Sequence, residues 1–67
     1  MPRKLPAPWH VEVIAGGFVV KDANGMVLAY IYGHPTAGDA DIAKGITLDE
    51  ARRIARNIAK LPDLLKR

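Results

Sequence analysis

The feature that most constrains this chain is a pair of apolar segments joined by a turn signal, over residues 18–32. Both segments are rich in valine, isoleucine and aromatic residues, which favour strands. Asp-Ala-Asn-Gly at residues 22–25 separates them, and asparagine followed by glycine tolerates the positive φ angles of tight hairpin turns. The sequence therefore predicts a β-hairpin, against which the rest of a short chain must pack.

The hairpin turn can close in two ways. In a type I turn followed by a G1 bulge, Asp22 opposes Met26 and the glycine takes the left-handed position. In a type I′ turn, Ala23 opposes Met26 instead. We favour the bulged form, because aspartate suits the first position of a type I turn.

The choice of turn decides which residues of the last strand belong to the core. The bulged form places Leu28 and Tyr30 beside Phe18 and Val20, and these fill more volume than alanine does. The type I′ form would instead place Val27, Ala29 and Ile31 on the core face. Tyr30 and Tyr32 share one strand face, and we interpret them as packing residues. Apolar residues remain on the outer face, and contiguous exposed apolar area usually marks an interface. The candidate self-association face consists of Val19, Val27, Ala29 and Ile31.

An alternating segment over residues 9–14 precedes the hairpin. Trp9, Val11 and Val13 are expected to point into the core. The polar residues between them point outward. Two consecutive glycines then allow a tight reversal into the next strand. Together with the hairpin, this segment predicts a three-stranded antiparallel meander over about residues 9–32.

A capping box marks the start of a helix after the sheet. Thr47 can accept the backbone N–H of Glu50, whose carboxylate can reach back to the threonine N–H. Apolar residues follow at three- and four-residue spacing, and Pro62 is expected to end the helix at about Leu61. A polar connection over residues 33–46, with a single helical turn at residues 39–44, joins sheet to helix. The predicted fold class is α+β, with one amphipathic helix over about residues 48–61 packed on one sheet face.

The length of 67 residues allows one domain with a thin core. Residues 1–8 contain three prolines and are predicted to form a flexible arm, which leaves residues 9–67 as a single β-β-β-α domain. There is no cysteine for a disulfide or a structural zinc site, so self-association is expected to supply stability. With no apolar run near the roughly 18 residues that cross a membrane and no signal-peptide pattern, we expect a cytoplasmic protein.

The residue types exclude several kinds of chemistry. The chain has neither serine nor cysteine, so it lacks both of these nucleophiles. His34, Asp39 and Asp41 lie in one loop and suggest a metal or acid/base cluster, but Ala43 and Lys44 stand where a calcium loop needs an oxygen ligand and a glycine. We therefore predict that the protein is not an enzyme and has no cofactor and no metal site.

Basic residues concentrate toward the C-terminal end of the chain. Arg52, Arg56 and Lys60 are spaced four residues apart and therefore align along the helix. Such a row of cations could bind a phosphate backbone and displace its counterions. We prefer to interpret them as a solvated helix face, because Asp49 and Glu50 lie at pairing distance along the helix. The candidate nucleic-acid contacts are Arg52, Arg53, Arg56 and Lys60, with help from Arg3 and Lys4 of the arm.

Three segments, at residues 16–25, 28–33 and 49–62, resemble a group of small bacterial proteins of unknown function. The resemblance implies a single domain in a bacterial cytoplasm and adds no active residues. The order of three strands and a helix is also similar to arm-type DNA-binding domains of tyrosine recombinases and to plant GCC-box binders, in topology only. We expect a small interaction module that forms a homodimer through the outer sheet face, with nucleic-acid binding as the alternative.

Overall fold

The computed structural model describes residues 5–65, so Arg3 and Lys4, the two predicted helpers in nucleic-acid binding, lie outside the described residues. The described part contains three strands and three helices. The strands are β1 (His10–Ile14), β2 (Gly17–Lys21) and β3 (Val27–Tyr32). The helices are α1 (Ala37–Ala43), α2 (Leu48–Ala59) and α3 (Leu61–Leu65).

The strands form one antiparallel sheet in the order β1-β2-β3, and α2 contacts all three of them. This confirms the predicted α+β fold of a meander followed by a helix. Residues that pair directly across the sheet have side chains on the same face. The face under α2, here called the covered face, holds Val11, Val13, Phe18, Val20, Ala29 and Ile31. The opposite face, here called the open face, holds His10, Glu12, Val19, Lys21, Val27, Tyr30 and Tyr32.

The turn between β2 and β3 has the predicted bulged form. The Gly25 N–H donates to the Asp22 carbonyl at 3.1 Å, and the Asp22 N–H donates to the Met26 carbonyl at 2.9 Å. Gly25 has a φ of +86°, which a glycine adopts without the steric cost of a Cβ. These bonds place Asp22 opposite Met26, and the prediction of a type I turn with a G1 bulge is confirmed.

A second irregularity in β3 changes the faces that the turn alone would assign. Lys21 pairs with Val27, whereas Val20 pairs with Ala29, so Leu28 is an extra residue between these two pairs. Beyond Leu28 the register is offset by one residue. An offset of one residue exchanges the two faces of a strand.

The predicted faces of β3 are wrong beyond this bulge. Tyr30, expected in the core, lies on the open face and is 57% exposed. Ala29 and Ile31, expected on the outer face, lie on the covered face and are half-buried. Val13 does share the covered face but is largely exposed, because it lies on an edge strand next to the first turn.

The capping box at the start of α2 has both of its predicted bonds. Thr47 Oγ1 accepts the backbone N–H of Glu50 at 3.1 Å, and the Thr47 N–H donates to Glu50 Oε1 at 2.9 Å. Ala51 and Ala55 are fully buried on the side of α2 that meets the sheet. Small side chains at these positions let the helix backbone lie close to the strands.

The end of α2 differs slightly from the expectation. α2 ends at Ala59, two residues before the predicted end, and α3 begins at Leu61. Pro62 is the second residue of α3, a position in the first turn of a helix where no intrahelical bond needs its missing N–H. Pro62 therefore lies in the first turn of α3, and it does not mark the end of α2.

The connection from β3 to α2 contains a longer helix than the single predicted turn. Thr36 caps α1 by accepting the Asp39 N–H at 3.1 Å, and Lys44 closes the helix in the left-handed conformation, with a φ of 54°. Within the described residues no Cα atom of α1 lies within 8 Å of a strand or of another helix, and Ala40 is the buried residue of α1. Ile42 of α1 is accordingly 85% exposed.

The described part of the predicted arm, residues 5–8, has no helix or strand but is attached to the domain. The Ala23 N–H donates to the Pro6 carbonyl at 3.0 Å, which joins the arm to the β2–β3 turn. The indole Nε1 of Trp9 donates to the Leu5 carbonyl at 3.1 Å. These bonds hold the segment beside the sheet, and Ala7 and Pro8 lie near Ala59 at the end of α2.

Candidate interaction surfaces

Charged residues from β1 and β2 occupy one side of the open face. Glu12 Oε1 lies 2.9 Å from Lys21 Nζ, and Glu12 Oε2 lies 2.9 Å from His10 Nε2. The hydrogen bond from Lys21 holds the pKa of the Glu12 carboxyl below its ordinary value, and the hydrogen bond from His10 makes a smaller contribution in the same direction. All three side chains reach water, so these pairs contribute little stability.

Two tyrosines occupy the other side of the open face. Tyr30 and Tyr32 lie two residues apart on β3, and their rings stack with centroids 6.2 Å apart and planes 8° from parallel. They are 57% and 59% exposed. Val19, between Tyr30 and Glu12 in the register, is only 2% exposed. The side chains around Val19 therefore cover the centre of the open face, with charged residues on one side and the two tyrosines on the other.

The four residues of the candidate self-association face do not share one surface. Val19 and Val27 lie on the open face, but only Val27 is exposed. Ala29 and Ile31 lie beneath α2, because the extra residue Leu28 offsets the register. Tyr30 and Tyr32, which the sequence predicts to be packing residues, occupy the open face in place of the expected aliphatic patch.

The basic residues of α2 are exposed, and an acidic neighbour compensates two of them. Arg52 Nη2 donates to Asp49 Oδ1, and Arg53 Nη2 lies 3.1 Å from Asp49 Oδ2. The bond from Arg52, followed by the charge of Arg53, lowers the pKa of the Asp49 carboxyl. Arg56 and Lys60, the residue that caps the C-terminus of α2, complete the basic stripe of four cations. Neither has an ion pair within residues 5–65.

The polar loop residues considered as metal ligands do not form a cluster. Within the described part of the chain, no three histidine, cysteine or acidic side chains are placed so that they could hold a metal ion. The ring of His34 packs instead against Gly45, where a Cβ would lie 2.9 Å from Nε2.

None of the helices described here has the length and apolar character needed to span a membrane. Comparison of the chain with models of protein families, with curated protein sequences and with solved structures gave no match. The resemblance to a group of small bacterial proteins therefore stays a prediction.

Proposed function

We propose that the protein is a small interaction module that binds a second copy of itself through the open face. The observation that carries this proposal is the size of the core. Among the described residues, no fully buried hydrophobic side chain is larger than valine: they are Val19, Val20, Ala40, Ala51 and Ala55. A domain of this size buries only about 60% of its unfolded surface, and pairing of two copies removes more apolar area from water.

The open face has features that suit pairing with an identical face. Exposed tyrosines are common anchors of protein interfaces, because a large apolar ring carries a hydroxyl that stays hydrated or finds a partner. In a two-fold contact the same patch meets itself. Because Glu12 and Lys21 place both signs of charge on this patch, two copies can meet without net repulsion.

Replacing both tyrosines tests the proposal. We expect the unaltered protein to be dimeric at high micromolar concentration by sedimentation velocity and light scattering. The double variant Tyr30→Ser with Tyr32→Ser should weaken dimerisation by about 100-fold or more, since aromatic anchors each contribute on the order of 2 kcal/mol. Both side chains are more than half exposed, so circular dichroism should show a retained fold.

The matched control is Ile42→Ser, which removes a highly exposed apolar side chain from α1, away from the sheet. This variant should dimerise like the unaltered protein. A monomer at high micromolar concentration would contradict the proposal, and so would equal loss of dimers in the control.

A second candidate function is nucleic-acid binding by the basic stripe of α2, favoured by the exposure of all four of its cations. In fluorescence anisotropy with duplex and single-stranded oligonucleotides, Arg56→Ala with Lys60→Ala should weaken binding and lower the salt slope by about two. Asp49→Asn should strengthen binding, because it releases Arg52 and Arg53.

The control for the added charge is Asp41→Asn, which makes the same change on α1. It should have a smaller effect than Asp49→Asn if the stripe is the contact surface. Absence of binding at low salt would eliminate this candidate.

A further inference from the structure

A cavity of about 280 Å³ lies between the arm and the end of the helical layer. It is separate from the tyrosine pair and from the candidate nucleic-acid contacts, none of which lines it. The indole of Trp9 forms part of its wall and is held by the hydrogen bond from Nε1 to the Leu5 carbonyl. The residues that line the cavity are Ala7, Pro8, Trp9, Ala59, Pro62 and Asp63.

Among residues 5–65, Asp63 is the one charged residue in this lining. Within residues 5–65 its carboxylate has no hydrogen bond or ion pair to a side chain or to the backbone. Its neighbours in the lining are an indole, two prolines and two alanines. A carboxylate without a partner beside an aromatic and otherwise apolar wall is complementary to a cation that has an apolar body.

Among biological cations the guanidinium group fits this combination best. It is planar, it is less strongly hydrated than an ammonium, it stacks on aromatic rings, and it can bond a carboxylate through two N–H groups. The cavity volume of about 280 Å³ is small. Cavities that hold drug-sized ligands begin at roughly 300 Å³. One long side chain is therefore a better match than a whole cofactor.

We propose that this cavity binds an arginine side chain presented by a partner protein, with the guanidinium on Asp63 and the side-chain stem against Trp9. The cavity lining offers one carboxylate and one aromatic ring, and these match the two parts of a single arginine side chain, its guanidinium and its apolar stem.

Fluorescence can test this site in the full chain, because Trp9 is its only tryptophan. The probe is the capped peptide acetyl-Gly-Arg-Gly-amide, and the comparison is the same peptide with citrulline, which is neutral and nearly isosteric with arginine. We expect a saturable change in Trp9 emission with the arginine peptide. The citrulline peptide should bind at least about tenfold more weakly, since it has no positive charge to form an ion pair with the Asp63 carboxylate.

The variant Asp63→Asn should weaken binding of the arginine peptide by about tenfold, while Asp41→Asn, which removes an acid that does not line the cavity, should leave binding unchanged. Asp63 is exposed, so the fold should survive the change. The proposal is overturned by a lack of saturable response, by equal binding of the citrulline peptide, or by binding that Asp63→Asn does not alter. A response to agmatine without one to the peptide would overturn the assignment to a protein partner.

Discussion

Replacing Asp22 with alanine is expected to destabilise the fold by about 2–3 kcal/mol, measured by urea denaturation. Asp22 is 1% exposed, and its Oδ1 accepts the backbone N–H groups of Asn24 and Met26, each at 2.9 Å. Alanine leaves both donors without this acceptor in a partly buried turn, and hydrogen bonds to a charged group are among the stronger ones. A domain of this length has a total stability of roughly 3–10 kcal/mol, so the loss is a large fraction of it.

The matched variant is Asp22→Asn, whose side-chain oxygen can accept the same two bonds in the same place. We expect it to lose about 1 kcal/mol, because the bonds remain but lose the contribution of the negative charge. Equal losses in the alanine and asparagine variants would show that the charge, and not the acceptor, stabilises the turn. A loss below about 0.5 kcal/mol in the alanine variant would contradict the importance of these bonds.

Replacing Gly33 with alanine is expected to destabilise the protein by about 3 kcal/mol. A Cβ at Gly33 would lie 2.5 Å from the carbonyl oxygen of Thr47 and 2.8 Å from the Cα of Leu48. Both are backbone atoms at the start of α2, and no side chain can rotate away to relieve the contact. The strand end and the helix start would have to move apart, which would disturb the two hydrogen bonds that join His34 to Ile46 and Leu48.

The control for this prediction is Gly38→Ala in α1. A Cβ there meets only Thr36 Oγ1, at 3.9 Å, so we expect no loss and a gain of up to about 1 kcal/mol from the better helix propensity of alanine. Thermal and urea unfolding of both variants measure the difference. Similar stability of the two variants would show that the contact between β3 and α2 yields easily.

Features written in neighbouring residues could be predicted from the sequence. The capping box at Thr47 and the G1 bulge at Gly25 each depend on residues within four positions of one another, and both form as expected. The extra residue Leu28 could not be predicted in this way. Its place depends on which residues of β2 and β3 pair, and that pairing depends on the whole packing of the sheet against α2.

Two other features could not be predicted in full, for different physical reasons. The sequence predicts one helical turn at residues 39–44, whereas α1 begins at Ala37, capped by Thr36 through the Asp39 N–H; without an apolar stripe, its length could not be predicted. The cavity beside Trp9 has no local signal, because residues 7–9 and 59–63 come together only in the folded chain. The exposed tyrosines followed from the offset in β3 and could not be placed before that offset was known.

The attachment of α1 has an evolutionary consequence. The chain leaves the sheet at His34 and returns beside it at Ile46 and Leu48, through hydrogen bonds of 2.7 and 2.8 Å. These bonds hold the two ends of the excursion together, and α1 contributes one buried side chain, Ala40, to the domain. Insertions and deletions on the exposed side of the excursion can be tolerated, and new binding functions can be acquired there while the rest of the domain is preserved.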